Sequence, residues 1–245
     1  MMEKKNTLVV SIFFVAFVLC QNLLWDKPFA AVAIMSVLAA SLLYILRSRF
    51  CVFLYILAML LGPGSELFLV LFDLLDYYHL KDGSIPGIFG LLPLWLPLMW
   101  GVISVTTFIL AESLIDYFVH TQLRASILNI VADIIFVMLI IGTIIIAIVG
   151  GDQFITSTLI MVLGFLLLKY LRDNLMYAAY FFIGAAIGLI AEATLLQLGA
   201  YLYVGPEFYN IPLWMGFSWG LVGVGIRHVN DVVRQIKDLR NNPAS

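Results

Sequence analysis

The chain of 245 residues is 63% hydrophobic and 11% charged, with a mean hydropathy of +1.07 and a formal net charge of −2. An ordinary soluble domain is roughly half apolar, so this composition excludes one and predicts an all-α integral membrane protein. No basic patch of the kind nucleic acid requires is present, which excludes nucleic-acid binding.

The first apolar run, residues 7–25, follows the basic start "MMEKK". No small-x-small cleavage site comes after it, and Leu19 before Cys20 is too bulky for a lipoprotein site, so the run is expected to stay as a first helix. Seven more runs, bounded by charges, Gly or Pro, fall at about 29–46, 51–77, 90–111, 126–149, 154–170, 174–203 and 211–231. With the N-terminus in the cytoplasm, Lys27 and Lys81 fall outside and the other eleven Lys and Arg fall inside. That bias predicts eight transmembrane helices with both termini cytoplasmic. Cys20 and Cys51 then belong to opposite leaflets and make no disulfide framework.

A cut near residue 122 leaves two halves that share landmarks in the same order. Leu46-Arg47 and Leu171-Arg172 precede each third helix; Gly62 and Gly188 come four residues before Glu66 and Glu192; Tyr77 and Tyr203 come eleven after them. Each half then reaches a Pro-Leu-Trp phrase, "LPLWLPLMWG" at 92–101 and "IPLWMGFSWG" at 211–220, which together hold four of the five tryptophans. The expected organisation is two parallel four-helix repeats, 1–122 and 123–233, followed by a basic cytoplasmic tail, 234–245. An even number of spans per copy makes the copies parallel, with a shared cavity near their pseudo-twofold axis.

Glu66 and Glu192 are the candidate catalytic residues. An ionisable group at membrane depth costs at least roughly 2.5 kcal/mol, so it is a functional candidate by default, although it can also lock helices together by bonding a neighbour's hydroxyl or indole. Eleven residues is close to three helical turns, which puts each glutamate on one stripe with its tyrosine, and Asp73 on the stripe of Glu66. Tyr77, Tyr203, Trp95, Trp100, Trp214 and Trp219 are the candidate substrate-binding residues. Trp95 and Trp214 stand near helix starts, where an aromatic belt is the competing reading; Trp100 and Trp219 lie deeper. Pro93 and Pro212 fit first-turn positions, and Gly101, Gly184, Gly188 and Gly220 fit close helix packing.

Asn129 and Asp133, one turn apart, read as a helix-to-helix hydrogen bond or a polar path. Glu112, Asp116 and His120 recur at i, i+4 and i+8, a spacing that can hold a metal but also describes a solvated helix end, which is the favoured reading. No metal and no cofactor is read from the sequence: Walker, dinucleotide and Gly-x-Ser-x-Gly motifs are absent. The C-terminal "RHVNDVVRQIKDLRNN" reads as a basic helical extension along the inner surface or a topology-setting tail.

The run "EATLLQLGAYLYVGPEFYNIPLWMGFSW" carries a resemblance. Its Glu192, Gly199, Tyr201, Tyr203, Pro212 and Trp219 resemble the pattern of membrane carotenoid-biosynthesis proteins, the carotenoid hydratase and membrane lycopene cyclase type. The first half also resembles small bacterial membrane proteins of about four spans. The resemblance covers about a third of the chain, and "DLLDYYHL" departs from the tyrosine segment in the first half. It implies a bacterial inner-membrane enzyme acting on an isoprenoid or fatty-acyl lipid by hydration or isomerisation. The other readings are a proton-coupled transporter or lipid-handling protein, and a structural subunit whose partner is a second copy or a membrane complex.

Overall fold

The computed structural model of the protein describes residues 4–71, 73, 75–81, 83, 85–121, 175–203, 211–212 and 214–241. Along these residues run α1 (Lys4–Leu24), α2 (Pro28–Leu46), α3 (Arg49–Leu71), β1 (Leu75–Asp76), α4 (Tyr78–Lys81), β2 (Gly87–Ile88), β3 (Leu92–Pro93), α5 (Leu96–Thr121), α6 (Leu175–Gln197), β4 (Leu202–Tyr203) and α7 (Trp214–Asn241). Five of them, α1, α2, α3, α5 and α6, are long and apolar enough to cross a membrane. Hydrocarbon offers no partner to a backbone N–H or C=O, and a helix closes those bonds within one segment.

Helix α5 is central. It packs against α1, α2, α3, α6 and α7, and 72% of its most apolar stretch is buried, against 22% in α2. The outward large side chains of α2, such as Phe29, Val37 and Tyr44, stay exposed, as expected of a face that meets lipid tails. Helices α6 and α7 approach closely because both are small at the crossing: a side chain on Gly223 would run into the backbone of Tyr180, and one on Gly184 into the carbonyl of Trp219.

Local chemistry sets the helix ends. Pro28 opens α2 at a position where its missing N–H costs nothing. Helix α6 closes in a Schellman arrangement, with Gly199 at φ 72°, its N–H on the Leu196 carbonyl at 3.1 Å and the Ala200 N–H on the Leu195 carbonyl at 3.1 Å. Helix α3 stops before Asp73, which is left-handed at φ 56°. The sequence reading runs the third and seventh helices to 77 and 203, and they end at Leu71 and Gln197 instead. The fourth begins at Leu96 rather than 90, because the β2–β3 hairpin, with Phe89 and Gly90 left-handed at its turn, occupies the residues before it. Helix α7 continues unbroken to Asn241, past the boundaries expected at 231 and 233. It is not among the five apolar helices, since its second half carries Arg227, Asp231, Arg234 and Lys237. The fifth and sixth runs, with Asn129 and Asp133, lie outside the described residues.

Beyond the ends of α3 and α6, strands β1 and β4 pair antiparallel, Leu75 opposite Tyr203 and Asp76 opposite Leu202. This short ladder joins the segment after Glu66 to the segment after Glu192.

Candidate functional site

Glu66 lies five residues before the end of α3, and Glu192 five before the end of α6. At 1.5 Å per residue each is roughly 8 Å inside its helix end. Both are buried, at 6% and 5% exposure.

On a continuous helix, eleven residues would separate Tyr77 from Glu66 by about 16 Å along the axis, too far for a hydrogen bond. The shared helical stripe is therefore corrected by the fold. The chain turns at Asp73 and at Gly199 and comes back over the helix end, which returns each tyrosine to its glutamate. Asp73, expected on the stripe of Glu66, is exposed in the turn.

Each carboxyl is held on both oxygens. Glu66 accepts from the Tyr77 hydroxyl on Oε2 and from the Trp100 indole N–H on Oε1 at 2.7 Å. Glu192 accepts from Tyr201 and, at 3.1 Å, from Tyr203 on Oε2, and from the Trp219 indole on Oε1 at 3.3 Å. An indole nitrogen only donates, so each Oε1 must present a lone pair, and a proton on either acid belongs on Oε2, facing phenols. Burial above all, with the charge of the neighbouring glutamates, pushes Tyr77, Tyr201 and Tyr203 well above the usual phenol range. These hydroxyls therefore stay protonated and able to donate.

The two half-sites touch. The rings of Trp100 and Trp219 stack with centroids 4.6 Å apart, and Tyr77 lies against Tyr201 at 5.1 Å. Glycine makes room for the indoles. A side chain on Gly62 would occupy the Trp100 ring, and one on Gly188 would occupy the Trp219 ring. Likewise Gly101 accommodates Tyr55, and Gly220 accommodates Phe181. Beside the site a cavity of ≈ 10 Å³ bordered by Gln21, Met99 and Ala191 has room for about one water.

Of the sequence candidates, Glu66, Glu192, Tyr77, Tyr203, Trp100 and Trp219 come together here. Trp95 does not join them: it is buried toward α1, with its indole N–H on the Trp25 carbonyl at 3.4 Å. The side chain of Trp214 lies outside the described residues. Tyr201 is the member that the eleven-residue spacing misses; only the Gly-x-Tyr-x-Tyr phrase around it points there.

A second polar cluster, also missed, joins α5, α6 and α7 at the other end of the bundle. Glu112, read from the sequence as part of a solvated helix end, accepts from Tyr180 at 2.8 Å and from buried Arg227 at 3.1 Å. Arg227 also pairs with Asp231 at 2.7 Å. Among the described residues no three His, Cys, Asp or Glu gather as metal ligands; the side chain of His120 is outside them.

Comparison with protein-family models, curated proteins and solved structures finds no match for this chain.

Proposed function

We propose that this chain is a bacterial inner-membrane enzyme that performs acid–base chemistry on an apolar isoprenoid or fatty-acyl lipid, of the hydration or isomerisation type. Its architecture is eight spans in two parallel four-helix units, 1–122 and 123–233, with a basic tail and both ends in the cytoplasm. Support for the duplication comes from contacts that recur: glycine under indole, indole on glutamate and a ring on the glycine after the tryptophan.

The observation that carries the chemistry is the fixed orientation of the two carboxyls. With each Oε1 tied to an indole, a proton is handed in and out at Oε2, beside phenols, from carboxyls buried among aromatic side chains. Acid catalysis on a carbon–carbon double bond needs such a positioned proton. It also needs aromatic faces for the cation that forms, each worth about 0.5–2 kcal/mol. The stacked faces of Trp100 and Trp219 must part to admit a lipid, so substrate entry is coupled to opening between the two units.

The test is mass spectrometry of lipids and pigments from cells supplied with polyene precursors and expressing wild type, Glu66→Gln or Glu192→Gln. A species heavier by one water, made by the wild type and lost in both variants, is expected. An unchanged profile with folded protein ends the reading for those precursors.

The meeting of the half-sites across a face between helix pairs favours a second reading, proton-coupled transport by rocking of the two units. Flux into proteoliposomes that follows a pH gradient and is uncoupled by either Gln variant separates it from the first.

A further inference from the structure

The two glutamates are not equivalent. Among the described residues Glu66 accepts two hydrogen bonds and Glu192 three, and the extra donor is Tyr201. Tyr201 comes nine residues after Glu192; nine residues after Glu66 stands Leu75, buried and without a side-chain donor. No Lys, Arg or His bonds either glutamate among the described residues. Two buried carboxylates in touching half-sites, with no cation on either among the described residues, do not both stay ionised; one retains a proton.

The donor count says which. On Glu192, Oε2 faces two phenol hydroxyls while Oε1 faces an indole, and three donors favour the carboxylate, which accepts each of them more strongly than a neutral acid does. A proton on that Oε2 would make one phenol reverse to accept it and leave the other donating to a neutral oxygen or, for Tyr203, to Met215 Sδ at 3.8 Å. On Glu66, Oε2 faces Tyr77 alone among the described residues. That single hydroxyl can reverse its role and accept from the neutral acid.

We infer that Tyr201 divides the pair, so that Glu66 holds the shared proton as the acid and Glu192 stands as the carboxylate. Resting on the lipid chemistry proposed above, this assigns the roles in a hydration. Glu66 Oε2–H delivers its proton to one alkene carbon, water adds to the cation left on the other, and Glu192 removes a proton from that water. The sum is alkene plus water to alcohol. The pair's proton has then moved from Glu66 to Glu192, and it returns by way of Tyr201 and Tyr77, whose rings adjoin. Tyr201 is a positioning residue in this scheme: it sets which carboxyl is charged.

Infrared spectroscopy of the purified full chain in lipid vesicles at neutral pH reads the proton directly, without any substrate. The neutral-carboxyl C=O band, identified by its shift in heavy water, is expected in the wild type, lost in Glu66→Gln and retained in Glu192→Gln. Tyr201→Phe removes one hydroxyl and keeps the ring; it should spread the band over both acids, so that Glu66→Gln placed on it no longer abolishes the signal. If a Gln variant does not fold, the Tyr201→Phe spectrum alone decides, since one identical to wild type overturns the assignment. A band lost in Glu192→Gln rather than Glu66→Gln, or no band in wild type, overturns it too. A band that follows Glu66 beside an unchanged lipid profile would leave the division of the proton standing and remove only the lipid chemistry.

Discussion

Trp100 and Trp219 stack face to face, 25° from parallel, while each donates its indole N–H to a different glutamate. One ring contact thus reports on both half-sites. Stacked indoles at 4.6 Å couple their electronic transitions, so the wild type should show a paired circular-dichroism signal in the tryptophan bands. Trp100→Phe and Trp219→Phe should each abolish the whole signal, because either removes one member of the pair. Signals that halve instead would show the rings to be apart.

The glycines beneath the indoles give a packing test. Gly62→Ala and Gly188→Ala push a methyl into a ring, and overpacking of this kind costs about 1–3 kcal/mol. Gly64→Ala and Gly225→Ala meet nothing within 4 Å and lie inside helices. They should be neutral or gain up to about 1 kcal/mol of helix propensity. Unfolding midpoints in one detergent would rank the four.

Replacing an acid by an apolar residue strands its donors. Glu66→Leu takes the acceptor from Tyr77 and Trp100, and Glu192→Leu from Tyr201 and Trp219, at about 1–3 kcal/mol for each buried group left unpaired, while Tyr203 exchanges a carboxylate for the weaker Met215 Sδ at 3.8 Å. Glu192→Leu should therefore be the less stable of the two. Both Gln variants should be milder, since the amide carbonyl still accepts from the indole. Equal losses for the two Leu variants would mean that Tyr203 loses nothing by turning to Met215.

At the opposite end of the bundle, Arg227 and Arg234 both reach Glu112, but their side chains are 7% and 56% exposed. Removing Arg227 takes the buried cation from two half-buried carboxylates and leaves Glu112 only the exposed Arg234 among the described residues, so Arg227→Ala should cost about 1.5–3 kcal/mol. Arg234→Ala should cost at most about 1 kcal/mol, because solvent screens an exposed pair. Chemical unfolding followed by tryptophan fluorescence compares them.

Membrane character and the first helices were legible in the sequence because apolar run length is a direct physical signal. The helix ends after Glu66 and Glu192 were not. Residues 72–77 and 198–203 are apolar enough to extend a span, and only the left-handed residues Asp73 and Gly199 turn the chain back. The tyrosines were paired with their glutamates by a spacing whose helical interpretation was wrong, since eleven residues measures a fold-back and not three turns. Tyr201 was hidden because it has no counterpart nine residues after Glu66. The Glu112, Tyr180 and Arg227 cluster was hidden because it draws on three helices far apart in sequence.

Each glutamate takes all its described donors from its own stretch of chain: Tyr77 and Trp100 serve Glu66, while Tyr201, Tyr203 and Trp219 serve Glu192. This bears on biogenesis, since the N-terminal part of a chain folds first during synthesis. By the time α5 has left the ribosome, Glu66 already has its phenol and its indole, and it can wait in the bilayer without an exposed acid while α6 and α7 are still being made. Assembly then docks two half-sites whose glutamates are already satisfied, and adds the β1–β4 ladder and the Tyr180 and Arg227 contacts to Glu112.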